Sequence, residues 1–156
     1  MRAPCLSAAV ILLGFIPRFA LAGDTEWRRY TIPSTGTSVD MPVSIFTSDA
    51  GAPDGETGRK FFTEDRRADL TVQSVANPAN DSPATFLAKM RPPAGITYKR
   101  VTSDFFVVSS IRKDRIWYNR CNRGNGSMNC VMINYPAAEK RQWDGVVTRI
   151  SRTLKS

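Results

Sequence analysis

The sequence contains no histidine. That absence removes the Ser-His-Asp and Cys-His arrangements of nucleophilic catalysis. It also removes imidazole metal ligands and the one side chain whose unperturbed pKa lies near neutrality. Cysteine is scarce: Cys5, Cys121 and Cys130 complete the set. A structural zinc site takes four ligands, and two neighbouring cysteines make half of one. No Gly-x-Ser-x-Gly elbow, P-loop or dinucleotide fingerprint is present. Gly124-Asn125-Gly126 continues as Ser127-Met128-Asn129 and lacks the third glycine. Past the first residues no apolar run reaches the length of a bilayer span. No internal repeat or low-complexity tract occurs, and no cofactor is expected.

What is there begins with a leader. Arg2 supplies a positive charge, Leu6 to Ile16 form an eleven-residue apolar run, and Ala20-Leu21-Ala22 is a small-x-small cleavage site. Pro17 and Arg18 interrupt the apolar run, so residues 1–22 read as a cleaved signal peptide rather than an anchor. No cysteine follows the site to accept a lipid. The remaining 134 residues, 23–156, have the length of one domain. They carry 20 basic and 14 acidic side chains, a net charge of +6. The expected location is the periplasm or the outside of the cell, with the mature chain soluble. An envelope protein or an anionic envelope component is the expected partner, and nucleic acid is not. The basic residues are spread as short pairs with acids near several of them, which also fits a plainly solvated surface.

Two cysteines in an exported chain favour a disulfide. Cys121 closes one strand-like stretch, Arg115 to Cys121, and Cys130 begins another. Asn125-Gly126 lies between them and is a strong hairpin-turn dipeptide. Antiparallel strands would set the two sulfurs face to face. A redox centre of the Cys-x-x-Cys kind sits at a helix start with two intervening residues, and eight intervene here. The pair reads as a structural staple.

Trp27 to Ile32 reads as a first strand, followed by a turn at Pro33 to Gly36. Thr37 to Met41 and Val43 to Phe46 read as strand pieces either side of Pro42, which suits an edge or a bend. Ser48 to Gly58 has loop composition. Arg59 to Thr63 and Ala68 to Val75 read as paired strands, the second with Leu70 and Val72 on a more apolar face. Ser82 and Pro83 start a short helix whose buried stripe is Phe86, Leu87 and Met90, and Pro92-Pro93 end it. Strands follow at Ile96 to Val101, Phe105 to Ile111, Arg115 to Cys121 and Met128 to Tyr135, the last three as a meander. Pro136 opens a final helix with Glu139 in its first turn. Its stripe is Trp143, Val146, Val147, Ile150 and Leu154.

The fold class is therefore α+β: an antiparallel sheet of about six or seven strands, with a short mid-chain helix and a C-terminal amphipathic helix packed on it. An early hairpin, the segment Gly36-x-Ser38-x-x-x-Pro42, a central meander and the closing helix together resemble the PsbP/Mog1-like fold over nearly the whole mature chain. The segments Arg120-Cys121-Asn122, Met128-Asn129-Cys130, Ile133 to Pro136 and Trp143-Asp144 also resemble small uncharacterised exported proteins of Gram-negative bacteria. The resemblance to the PsbP/Mog1 group implies an accessory or binding protein.

No catalytic residue is assigned. Glu64, Asp65 and Asp69 are the densest acids and could serve a carboxylate-dependent hydrolase of cell-envelope polymer, although Arg66 and Arg67 between them favour ordinary pairing. Asp49, Asp54 and Glu56 do not follow a calcium-loop spacing, and no metal site is expected. The candidate binding surface is Arg115, Trp117, Tyr118 and Arg120. Alternation puts Arg115 and Trp117 on one sheet face and Tyr118 and Arg120 on the other. Such a face could stack a sugar or a base; equally, Trp117 or Tyr118 could pack under the C-terminal helix. The reading favoured is a non-catalytic exported accessory or binding protein. Its alternatives are the hydrolase and an electrostatic binder of anionic envelope material.

Overall fold

The computed structural model describes residues 25–53, 57–92 and 94–155. The leader, 1–22, lies outside the described residues, as do Asp54, Glu56 and Pro93. Among the described residues nine strands run in chain order: β1 Trp27–Thr31, β2 Ser38–Pro42, β3 Ser48–Asp49, β4 Thr57–Phe62, β5 Asp69–Ala76, β6 Ile96–Val101, β7 Phe105–Arg112, β8 Arg115–Arg123 and β9 Ser127–Pro136. The described residues also form two α-helices, α1 Pro83–Met90 and α2 Lys140–Thr153. β1 and β2 form a separate antiparallel ribbon, and the other strands form one antiparallel sheet in the order β3-β4-β5-β9-β8-β7-β6. No helix among the described residues is long and apolar enough to cross a membrane.

The sheet has a different cover on each face. On one face lie α2 and the β1–β2 ribbon. Trp143, Val147 and Ile150 of α2 are buried with Val39 and Met41 of β2, Leu70 and Val72 of β5, and Val131 and Ile133 of β9. On the other face lies α1, whose Phe86 and Leu87 sit over Phe106, Val108, Met128 and the two cysteines. α1 starts as its residues dictate. The Ser82 hydroxyl accepts from the Thr85 amide at 3.2 Å, and Pro83 takes the first turn, where an amide has no helical partner. Arg91 ends it in the left-handed conformation, φ 49°.

Three local expectations are corrected and one is extended. Val43 to Phe46 is a turn: the amides of Ile45 and Phe46 both donate to the Pro42 carbonyl at 3.0 Å, and Phe46 folds into the core. The segment read as loop from Ser48 to Gly58 contributes β3 and the start of β4. The Asp49 carboxylate accepts from the Gly51 amide at 2.8 Å, a local turn that returns the chain to pair with β4. β5 keeps the more apolar face expected of it, with Leu70 and Val72 at 0% exposure in the core beneath α2, and its polar face is buried as well, Thr71 and Gln73 at 5% and 3%. Pro136 belongs to β9; a 3₁₀ turn at Ala137–Glu139 precedes α2, and Leu154 completes the apolar stripe just beyond the helix.

Tyr135 carries a pH prediction. It is 3% exposed and stacks on Trp143 with ring centroids 5.4 Å apart. Burial, with smaller contributions from Asp144 and Tyr118, pushes its phenol up to about 12. An unfolded tyrosine ionises near pH 10, so between about pH 10 and 12 the unfolded chain gives up a proton that the folded one keeps. The stabilisation is complete below pH 10 and is lost through that window. Tyr135→Phe should flatten the alkaline fall in urea-unfolding free energy by no more than about 2 kcal/mol. Some slope should remain, because burial also raises the phenols of Tyr118 and Tyr30.

Candidate functional site

One row of residues crosses most of the sheet on the α1 face. Val101 pairs with Phe106, Phe106 with Cys121, Cys121 with Cys130, Cys130 with Gln73 and Gln73 with Gly58. Cys121 and Cys130 are disulfide-bonded directly across β8 and β9, with Cα atoms 4.1 Å apart. Both are fully buried beneath α1. Gly58 has no room for a side chain, since a Cβ there would lie 2.3 Å from the Val72 carbonyl oxygen and 2.9 Å from Gln73. The staple thus lies in the floor on which α1 rests.

α1 covers only part of that face. Beyond its end, Arg91 and Pro92 form the rim of a groove of about 270 Å³ running over β4, β5, β9, β8 and β7 to Ile96 of β6. Its apolar wall is Leu87, Met90, Ile96, Val108 and Met132. Trp117 stands in it, 41% exposed. Thr71, Ser110, Asn119 and Asn134 offer hydroxyl and amide groups along the floor. At the far end Asp69 is 7% exposed and fully engaged. Asn134 Nδ2 donates to its Oδ1 at 2.8 Å, Lys60 Nζ lies 3.4 Å from the same oxygen, and Arg115 Nη2 lies 3.7 Å from Oδ2. Arg115 is fixed further by donating to the Arg67 carbonyl at 2.8 Å. A buried carboxylate needs such partners. The arrangement is an apolar, aromatic trough with a built polar end.

The four residues of the predicted surface separate as alternation required. Trp117 lines the groove, as does part of Tyr118, and Arg115 reaches the groove only through its contact with Asp69. Tyr118 turns to α2, its hydroxyl 2.6 Å from Ser151 Oγ, and burial raises its phenol despite that bond and nearby Arg120. Arg120 lies on the same face as Tyr118, with its guanidinium over the Phe105 ring. Of the two aromatics, Tyr118 packs under the C-terminal helix and Trp117 does not.

The acids are divided between sites. Asp69 lines the groove, whereas Glu64 and Asp65 line a shallow cleft beside Arg67, Glu139 and Trp143. Asp65 is held below the usual carboxylate range by bonds from the Arg67 amide and the Thr63 hydroxyl. Glu139 pairs with Arg67 and accepts from Trp143 Nε1 at 3.2 Å. Asp49 is paired with Arg59. Among the described residues no cluster of three potential ligands could hold a metal ion. Sequence reasoning missed Lys60, Ser110, Met132 and Asn134. The polar ones leave a trace in polar residues at alternate positions of strands that are otherwise apolar, such as Asp69, Thr71 and Gln73 on β5, and Met132 leaves none.

No protein-family model and no curated protein sequence matches this chain. Among solved structures it is similar to the solution structure of cyanobacterial PsbP (CyanoP) from Synechocystis sp. PCC 6803. The match has 12% sequence identity and a TM-score of 0.60, and covers 92% of this chain and 98% of that one. At such identity the likeness is one of fold. The chain has a PsbP-like α+β fold, in agreement with the resemblance drawn from its sequence.

Proposed function

We propose that this chain is a non-catalytic exported binding protein, of the periplasm or cell exterior, that holds its ligand in the groove beside α1. The observation that carries this reading is the exposed Trp117 set in an apolar trough that ends in the Lys60–Asp69–Arg115 group. Large apolar side chains left partly open beside fixed polar groups are the usual make-up of a binding site. The buried disulfide and the leader-like start of the sequence support export. The ligand is a small molecule, or a projecting side chain of an envelope protein, with an apolar body and a hydrogen-bonding end.

Native mass spectrometry of the protein recovered from the cell envelope tests it. The wild type should carry a bound mass or a retained partner. Trp117→Ala, which removes a half-exposed ring and little core packing, should retain about tenfold less or lower still. Equal retention by both proteins would move the site elsewhere. Turnover on an envelope substrate would count against the non-catalytic reading.

A further inference from the structure

The α2 side of the β6–β8 wing is a second surface with its own chemistry. α2 lies on β2 and β9. Out on the wing, Tyr98 and Ile111 stand 51% and 49% exposed. Residues 96–123 hold seven lysines and arginines against Asp104 and Asp114 alone. Among the described residues only Arg115 of those seven has an ion-pair partner, Asp69 at the end of the groove. The other six form no ion pair among the described residues.

Two of these cations are brought together. Arg100 on β6 pairs in register with Val107 on β7, and Val107 with Arg120 on β8, so the two arginines flank Val107 in one row. By strand spacing their backbones are about 10 Å apart. Both guanidinium groups turn to the same ring, with Cζ of Arg100 5.3 Å and Cζ of Arg120 4.4 Å from the Phe105 centroid. Arg120 is anchored: its Nε donates to Asn122 Oδ1 at 2.9 Å, and Asn122 Nδ2 donates to the Leu154 carbonyl at 3.0 Å. These bonds fix the plane of the fork and leave its terminal Nη groups without a hydrogen-bond partner among the described residues. Like charges gathered at one ring repel each other, and an anion bound by both offsets that repulsion.

We propose that Arg100 and Arg120 form a phosphate subsite, with Phe105 as the platform that orients both forks. A phosphate fits better than a carboxylate, because its several acceptor oxygens can serve two guanidinium groups at once, while a carboxylate fills a single fork. The phosphate can be free or carried by a lipid headgroup. The site lies on the sheet face opposite the groove and does not depend on the groove's occupant.

The test is a pair of titrations of the isotope-labelled protein at low salt, one with inorganic phosphate and one with phosphatidylglycerol vesicles against phosphatidylcholine vesicles. Arg100 and Arg120 side-chain resonances are followed in the first, and vesicle retention in the second. A response to inorganic phosphate that the double variant R100Q/R120Q weakens by about tenfold or more supports the subsite with a soluble ligand. Retention on phosphatidylglycerol vesicles alone, lost in the same variant, supports it with a lipid headgroup. R120K, which keeps the charge but not the fork, should bind less well than wild type in either case. The double variant R112Q/K113Q removes equal charge elsewhere on the wing and should bind as wild type. Absence of binding in both titrations overturns the proposal, and so does equal weakening by the two double variants.

Discussion

Replacing Phe106 with alanine is expected to cost about 4 kcal/mol of folding stability. Phe106 is fully buried, with α1 above it and the disulfide beside it. It pairs in register with Val101 on one side and Cys121 on the other, so it spans the step from the wing to the centre of the sheet. Removing the ring leaves a cavity under Phe86 and Leu87 that the flanking strands are too firmly hydrogen-bonded to close. Urea unfolding of the oxidised protein measures the loss. A cost under about 1 kcal/mol would mean that α1 does not rest on this residue. Hydrogen exchange should show the opening concentrated in α1, which is short and rests on the cluster of Phe106, Val108, Met128 and the two cysteines.

The disulfide carries the second large effect. Replacing both cysteines with alanine, C121A/C130A, should cost about 2.7 kcal/mol on the chain-entropy account of a loop of about ten residues. The melting temperature should fall by roughly 10 °C for a domain of this size. Alanine is the useful replacement, since serine would add buried hydroxyls to an apolar floor. The two changes should not add. Phe106 and Cys121 are direct cross-strand neighbours, so the triple variant measures their coupling. A double variant as stable as wild type would mean that the hairpin alone fixes β8 against β9. The Arg123 to Met128 closure and the Gly124 amide, which donates to the Ser127 carbonyl at 2.8 Å, would then suffice.

Much of the fold could be read from local signals. Ser82-Pro83 marks a helix start wherever it precedes an apolar stripe, and α1 begins there. Asn125-Gly126 sits at the tip of the β8–β9 hairpin, with Gly126 at φ 68°, the left-handed region that glycine adopts freely. The spacing of Trp143, Val147 and Ile150 named the buried side of α2 before any partner was known. Signals of this kind act over a few residues and survive folding unchanged.

The site was legible only in part. Alternation on β8 separated Trp117 from Tyr118, but it could not say which face α2 would cover. That choice is made by α2 packing on β2 and β9, at positions far off in the sequence. The groove takes residues from β4, β5, β6, β7, β8, β9 and the end of α1, so no single stretch announces it. Arg100 was hidden by a further device. A register shift between Ile96 and Tyr98 turns them to opposite faces although they are two residues apart, which puts Ile96 in the groove and Arg100 beside Arg120. A period-two reading of β6 alone assigns those faces wrongly.

The central claim is that the groove beside α1 is where this protein meets its ligand. Its most direct test is hydrogen exchange of the oxidised protein with and without envelope extract, at high salt to suppress charge-only contacts. The account predicts added protection in α1 and in the β7, β8 and β9 stretches around Ser110, Trp117 and Asn134, and none in Trp117→Ala. Protection confined to the opposite face, around Arg100 and Phe105, or equal protection in the Trp117 variant, would contradict it.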